Sequence, residues 1–303
     1  MGKFRDIHIW SAPVTPFTAD DRVDLDGFAS TLDVLIDEGA QAIVLTGSIG
    51  EHAVLNDHEW SAILETARLT VGGRVPILTT AASPDPRIVQ QRVAQSMEAG
   101  VDAVMVLPPY YFPLSRPELI GFYETVASWS APFLTYSNPT TAGATLDDEA
   151  LAVVAAMDNF VGHKEATPNP AEFHRKRKII GPDFPLIAAA ETQLAYILLA
   201  GANGVLTLLT TAAPQAISGM WHAADAGDFD EVMRRNGPLM IFRRFVDRIN
   251  AQGSPAYLPV AKAILDWRGL AGGTPRPPIR PLNDRQRDEL DQILREVLAI
   301  SPV

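Results

Sequence analysis

Eight short apolar runs, each followed by a stretch of helical period, alternate along most of this 303-residue chain. Helix-stopping glycines stand directly before several of the runs, and the last part of the chain has helical patterns without strands. Together these features predict an α/β protein, an eight-stranded parallel (β/α) TIM barrel with a C-terminal helical appendage. A doubly wound open sheet is the alternative, because periodicity does not by itself establish closure.

The runs are Ile7–Val14, Ala42–Leu45, Pro76–Ala81, Ala103–Leu107, Pro132–Tyr136, Phe160–Gly162, Pro185–Ala190 and Gly204–Leu209. Strands of this kind are apolar on both faces, as a parallel sheet covered by helices requires. Between them lie helical candidates at Leu25–Glu38, Asp57–Thr70, Arg87–Glu98, Pro117–Ser128, Asp147–Met157, Ala171–Ile179, Thr192–Ala200 and Pro214–Ala226. Gly39, Gly100 and Gly201 each close a helix shortly before a new strand, a position that favours the left-handed conformation open to glycine. Pro76, Pro132 and Pro185 open strands, where a missing N–H is tolerated. Asn56 stands three residues before Glu59, the spacing of a capping box.

The barrel is expected over residues 1–226 and carries the active site. Residues 227–303 form the C-terminal helical domain, with helices at Phe229–Ile249, Leu258–Trp267 and Asp284–Leu298. Its connectors are Gly253-Ser254-Pro255 and the proline-rich Gly272–Pro281 segment. No arrangement in it points to chemistry, so packing or oligomer contact is its expected role.

Composition narrows the function. A net charge of −11 and a pI near 5.0 oppose phosphate-backbone binding, so no nucleic-acid partner is expected. With 0 cysteines, disulfides, thiolate metal sites and a cysteine nucleophile are excluded together. The six histidines include no pair at metal-ligand spacing. No signal peptide and no apolar run of membrane length is present, so the cytoplasm is the expected location and no membrane partner is expected. Gly2 is a weak myristoylation cue, because position 6 is Asp.

In such a barrel the active site lies at the C-terminal ends of the strands, and three of those ends carry chemistry. Gly47-Ser48-Ile49-Gly50-Glu51 follows strand two, and its glycines let backbone N–H groups face an anion or simply make a tight turn. Tyr136 at the end of strand five is followed by Ser137-Asn138-Pro139, a polar run that favours a place in the barrel mouth. Lys164 follows the apolar run of strand six.

Only five of the 25 basic residues are lysines. Lys3 is terminal, Lys176 and Lys178 read as part of a solvated helical run, and Lys262 lies in a helix of the appendage. Lysine is costly to bury, so Lys164 stands out. Its chemical use in a barrel mouth is attack on a carbonyl to form a Schiff base, helped by burial. Lowering its pKa from about 10.4 toward about 7 needs roughly 4–5 kcal/mol of differential solvation. The structural alternative is an ion pair with Glu165.

Five segments in order on these strands resemble the dihydrodipicolinate synthase and N-acetylneuraminate lyase family of Schiff-base aldolases and lyases. They are Gly47-Ser48-Ile49-Gly50-Glu51, Pro108-Pro109-Tyr110-Tyr111, Tyr136 with Asn138-Pro139, Lys164-Glu165, and Gly201-Ala202-Asn203-Gly204-Val205. The resemblance implies that Lys164 forms an imine with the keto carbon of a 2-oxo acid and that Tyr136 shuttles the proton with help from Ser48. It implies that the substrate carboxylate rests on the N–H groups of Ser48 and Ile49, beside Gly47. It also implies that Tyr111 completes the relay in a neighbouring subunit of a homo-oligomer, a tetramer or dimer. No cofactor or metal is implied.

Departures from the family pattern shape the expected substrate. Ile49 replaces a common Thr, and Thr141 stands where the synthases carry an Arg for their second substrate. Glu191 falls where relatives have an acidic residue facing the distal part of the substrate. Its neighbours Ala188 to Ala190 are small and apolar, Leu206 lines the same pocket, and Thr210 and Thr211 stand where an Asn is frequent. The expectation is a lyase or aldolase on a pyruvate-type 2-oxo acid, not a typical dihydrodipicolinate synthase. A dehydratase or deaminase of a 2-oxo or cyclic imino acid, as in the hydroxyproline pathway, and an aromatic hydratase-aldolase stay open. From another class, so does a non-catalytic 2-oxo-acid-binding barrel.

Overall fold

A computed structural model describes residues 4–139, 145–253 and 255–303. In chain order the elements are β1 (Trp10–Ser11), α1 (Leu25–Asp37), β2 (Ala42–Leu45), α2 (Asp57–Val71), β3 (Ile77–Ala81), α3 (Pro86–Glu98), β4 (Ala103–Val106) and α4 (Arg116–Ser128). There follow β5 (Phe133–Ser137), α5 (Asp148–Ala155), β6 (Phe160–Glu165), α6 (Pro170–Ile180), β7 (Leu186–Ala188), α7 (Leu194–Leu199) and β8 (Gly204–Val205). The chain ends in α8 (Leu208–Ala212), α9 (Gln215–Asp225), α10 (Phe229–Asn250), α11 (Tyr257–Arg268) and α12 (Asp284–Gln292), which runs into a π-helical turn at Ile293–Val297. The eight strands form one sheet in the order β1 to β8, the (β/α)8 arrangement of a TIM barrel. Among the described residues no helix is long and apolar enough to cross a membrane.

The chain packs as two compact units. One comprises residues 1–8 and 76–206 and the other residues 9–75 and 207–303. The boundary expected at 226/227 falls inside the second unit, between α9 and α10.

In the first unit, β3 to β8 pair in parallel through regular registers. The N–H of Val205 donates to His8 O at 2.7 Å and carries the ladder from β8 to the residues just before β1. The exception to regular pairing matters for the site. Phe133 faces Phe160 but Leu134 faces Gly162, so Val161 is an extra residue, a β-bulge that re-aims the rest of β6. Gly162 is required there, because a Cβ would lie 2.7 Å from Pro185 Cγ. In the second unit β1 pairs with β2, α1 packs on α2, α8 packs on β1, α9 and α11, and Phe28, Leu32, Leu35, Ile264 and Leu265 are buried.

Three strand limits differ from the sequence pattern. Strand six continues through His163, Lys164 and Glu165, whose ionisable side chains hide a buried strand. The first strand's ladder is confined to Trp10–Ser11. Pro13 has no N–H to donate, and Thr15 O instead accepts from Lys262 Nζ at 2.7 Å. The last ladder stops at Val205, because Thr207 caps a helix that takes in Leu208 and Leu209.

Candidate active site

The register of β5 and β6 sets Tyr136 opposite Lys164. Neighbouring residues on a strand face opposite ways, so the residues flanking Lys164 point to the helix side of the sheet when Lys164 points to the other. Lys164 Nζ lies 4.0 Å from the centroid of the Tyr136 ring. Burial alone pushes its ammonium down to about 7. Among the described residues no carboxylate pairs with it. This is the environment of an amine that is substantially neutral near physiological pH and free to attack a carbonyl.

Tyr136 is buried, and its phenol oxygen accepts a hydrogen bond from Asn138 Nδ2 at 3.0 Å. Asn138 is itself buried and fixes one lone pair of the phenol.

Glu165 does not serve as the ion-pair partner of Lys164. It lies behind the strand in a chain of buried polar groups. Thr135 Oγ1 meets His163 Nδ1 at 2.7 Å, and His163 Nε2 lies 3.1 Å from Glu165 Oε2. The N–H of Thr167 donates to Glu165 Oε1 at 2.7 Å. Lys176 donates to Glu165 and stands 3.1 Å from Glu172. Burial would raise the Glu165 carboxyl, but His163 and Lys176 hold it below the ordinary value. Burial also keeps His163 below its ordinary value despite Glu165.

Lys176 is therefore a correction to the sequence reading. It is 2% exposed on the inner face of α6, whereas Lys178 is exposed as expected. The run Arg175-Lys176-Arg177-Lys178 concealed the difference. The signal was the Glu172-to-Lys176 spacing of four residues, together with His163 and Glu165 two apart on the strand.

Gly47, Ser48 and Ile49 belong to the second unit, in a turn running from Thr46 to Glu51. Both ends of the turn are left-handed without being glycine, at φ 52° for Thr46 and 58° for Glu51. A Cβ at Gly50 would lie 3.1 Å from Gly47 N and from Thr46 Cα, closer than ordinary van der Waals contact, so a side chain there would press on the turn. Among the described residues, the N–H groups of Ser48 and Ile49 find no acceptor. Adjacent N–H groups left without an acceptor suit an anion.

The remaining expected residues fall in three places. Glu191 is buried in a 3₁₀ turn after β7. Leu206 is buried just beyond β8, its N–H donating to Ala188 O at 2.9 Å. Tyr111 is 73% exposed and sits edge-to-face with Phe112, also exposed, at 4.8 Å. Thr141 lies outside the described residues.

A buried lysine on one strand stands beside a tyrosine on the next in a (β/α)8 sheet, and the comparisons place this fold and sequence in a family. The chain matches the model of the dihydrodipicolinate synthetase family over residues 6–297. It is 30% identical to a 4-hydroxy-tetrahydrodipicolinate synthase of Methanosphaerula palustris, over 93% of this chain and 96% of the relative. It is 27% identical to a DapA-like lyase of Halobacterium salinarum, over 94% of this chain and 91% of that protein. Among solved structures it resembles YagE, a prophage protein of the dihydrodipicolinic acid synthase family from E. coli K12 in complex with pyruvate. That likeness has a TM-score of 0.88 at 25% identity and covers 96% of this chain and 98% of the other. The chain belongs to the dihydrodipicolinate synthetase family, a family of lyases.

Proposed function

We propose that the chain is a Schiff-base lyase or aldolase acting on a pyruvate-type 2-oxo acid through Lys164. The observation that carries this reading is a buried amine near neutrality, 4.0 Å above a tyrosine ring and without a carboxylate partner among the described residues. The neutral amine attacks the keto carbon, and loss of water leaves an iminium. The iminium draws electrons from the adjacent carbon, so a C–H or C–C bond there breaks or forms through an enamine. Tyr136 relays the protons, a role typically contributing about 10²–10⁴-fold.

In this reading the substrate carboxylate rests on the N–H groups of Ser48 and Ile49, with Gly47 allowing close approach and the Ser48 hydroxyl assisting the relay. Glu191 and Leu206 bound the distal pocket. Tyr111 acts in a neighbouring subunit of a homo-oligomer, and its exposure next to Phe112 supports that role. No cofactor is part of the scheme. Thr141 in place of an arginine speaks against dihydrodipicolinate synthesis, although relatives carry the name 4-hydroxy-tetrahydrodipicolinate synthase.

The test is proton exchange at the methyl group of pyruvate in D₂O, followed by NMR. Exchange that is lost in Lys164→Ala supports the enamine. Binding without exchange favours a non-catalytic barrel. Ammonia release from a pyrroline carboxylate would instead mark a deaminase on the same scaffold.

A further inference from the structure

The turn that carries Gly47 to Gly50 ends on Glu51, an acidic residue in the left-handed region at φ 58°. A non-glycine residue there costs on the order of 1–2 kcal/mol, so something must hold it. Both of its carboxylate oxygens are held by the C-terminal part of the chain. Oε1 lies 2.7 Å from Lys262 Nζ on α11, and Oε2 accepts from the backbone N–H of Arg276 at 3.0 Å.

Lys262 gives its hydrogen bonds to the backbone, and its contact with Glu51 is one of charge. It donates to Thr15 O at 2.7 Å and to Thr274 O at 2.9 Å. Thr15 then returns to the turn, its Oγ1 donating to Gly50 O at 2.7 Å. The far end of the turn is thus tied twice, through the Gly50 carbonyl and through the Glu51 carboxylate. Phe17 lies beneath both cations, 4.6 Å from Lys262 Nζ and 4.0 Å from the Arg276 guanidinium. The strap leading to Arg276 passes Lys262 and Phe17 on two glycines, because a Cβ on Gly272 would lie 2.0 Å from Lys262 O and one on Gly273 2.6 Å from Phe17 O.

Lys262 and Glu51 are both nearly inaccessible, at 1% and 6%. Such a pair adds little net stability over apolar residues of the same volume, because two charges must be desolvated. What it does supply is a fixed direction. Every group named here lies in the second compact unit, as do the N–H groups of Ser48 and Ile49, which find no acceptor among the described residues.

We propose that Glu51 and Lys262 are positioning residues, an ion-paired fastening by which the C-terminal segment holds the Thr46–Glu51 turn in the shape that receives the substrate carboxylate. The proposal rests on the reading of the Ser48 and Ile49 amides as the carboxylate site. Amides already aimed at the anion need no reorganisation when it binds, which is the advantage of a preorganised site.

The experiment compares Glu51→Gln, Lys262→Met and the double variant with wild type, and uses Arg268→Met as a control. Arg268 is equally buried on α11 but binds Glu38 and Ala212 O, away from the turn. Two readouts are taken: hydrogen exchange of the amides at 47–52, and the pyruvate concentration that half-saturates borohydride trapping. The double variant guards against loss of folding from a lone buried charge.

The expected result is faster exchange at 47–52 and half-saturation raised by about tenfold or more, with the limiting trapping rate within about threefold of wild type. Arg268→Met should lower thermal stability while leaving both readouts unchanged. Exchange that stays at the wild-type level, or that rises equally in Arg268→Met, overturns the fastening. Faster exchange with unchanged half-saturation overturns its role in carboxylate binding. If wild type itself traps no pyruvate, the catalytic reading fails, and the proposed carboxylate role of the fastening fails with it. The exchange data then still decide whether the pair holds the turn.

Discussion

Holding Lys164 near neutrality works against the fold that does it. The ordinary value is 10.5 and the buried one about 7, so between those values the unfolded chain binds more protons than the folded chain. Stability therefore rises with pH across that window. Lys164→Met should stabilise the protein by about 2–4 kcal/mol at pH 7, with the gain shrinking toward pH 10, as read by urea unfolding at both values. Trapping with a 2-oxo acid should run the other way, rising with pH through about 7 and then levelling off. Loss of the proton from the ammonium frees the nucleophile, so a rate that falls across this range would contradict the assignment.

Asn138 makes a second residue-scale prediction. Its amide on the Tyr136 phenol should matter for proton transfer more than for binding. Asn138→Leu should lower the rate of methyl exchange by about tenfold or more with little change in half-saturation, measured by NMR at several pyruvate concentrations. Tyr136 and Lys164 stand out in the sequence for different reasons, Tyr136 for the polar run after it and Lys164 for the cost of burying a lysine, and the register sets them opposite one another. The burial of Lys262 could not be read there, because its partner Glu51 lies far away along the chain, and that of Lys176 was masked by the basic run around it, although its partner Glu172 stands four residues before it.

At the scale of the element, β6 shows how a strand of ionisable residues is built. The bulge at Val161 and the glycine after it set the register that puts Tyr136 opposite Lys164. Behind the strand, His163 and Glu165 are satisfied by Thr135, Thr167 and Lys176. Removing one member of a buried pair leaves an uncompensated charge, so Lys176→Met should cost about 3–5 kcal/mol in denaturant unfolding. The pH dependence has a definite sign. Glu165 is held below its ordinary 4.5, so its contribution is present above that value and lost as pH falls through the lower folded one. Without Lys176 the acid transition should move to higher pH. The order and type of the elements were legible from apolar runs and helix stops. The extent of β6 was not, since His163-Lys164-Glu165 carries the composition of a surface loop and is buried only because partners from β5 and α6 meet it.

At the scale of the whole molecule, the sequence pattern divides the chain at residue 226, while contacts gather residues 207–303 with residues 9–75. The reason lies in particular residues. Arg268 is buried against Glu38 and Ala212 O, and Lys262 against Glu51 and Thr15. A chain ending at Ala226 would take Arg268 from Glu38 and Lys262 from Glu51. It should fail to give a cooperative thermal transition, whereas a truly separate barrel of residues 1–226 would unfold cooperatively by itself. The tail carried no motif that would have disclosed this attachment, because its two critical cations act through burial and not through pattern.

The nucleophilic role of Lys164 is tested by reduction with borohydride in the presence of pyruvate, followed by peptide mapping. One reduced pyruvate is expected on the peptide containing Lys164, none on those containing Lys176 or Lys262, and no adduct in Lys164→Ala. An adduct at a different lysine, or none at saturating pyruvate in a folded protein, would contradict it.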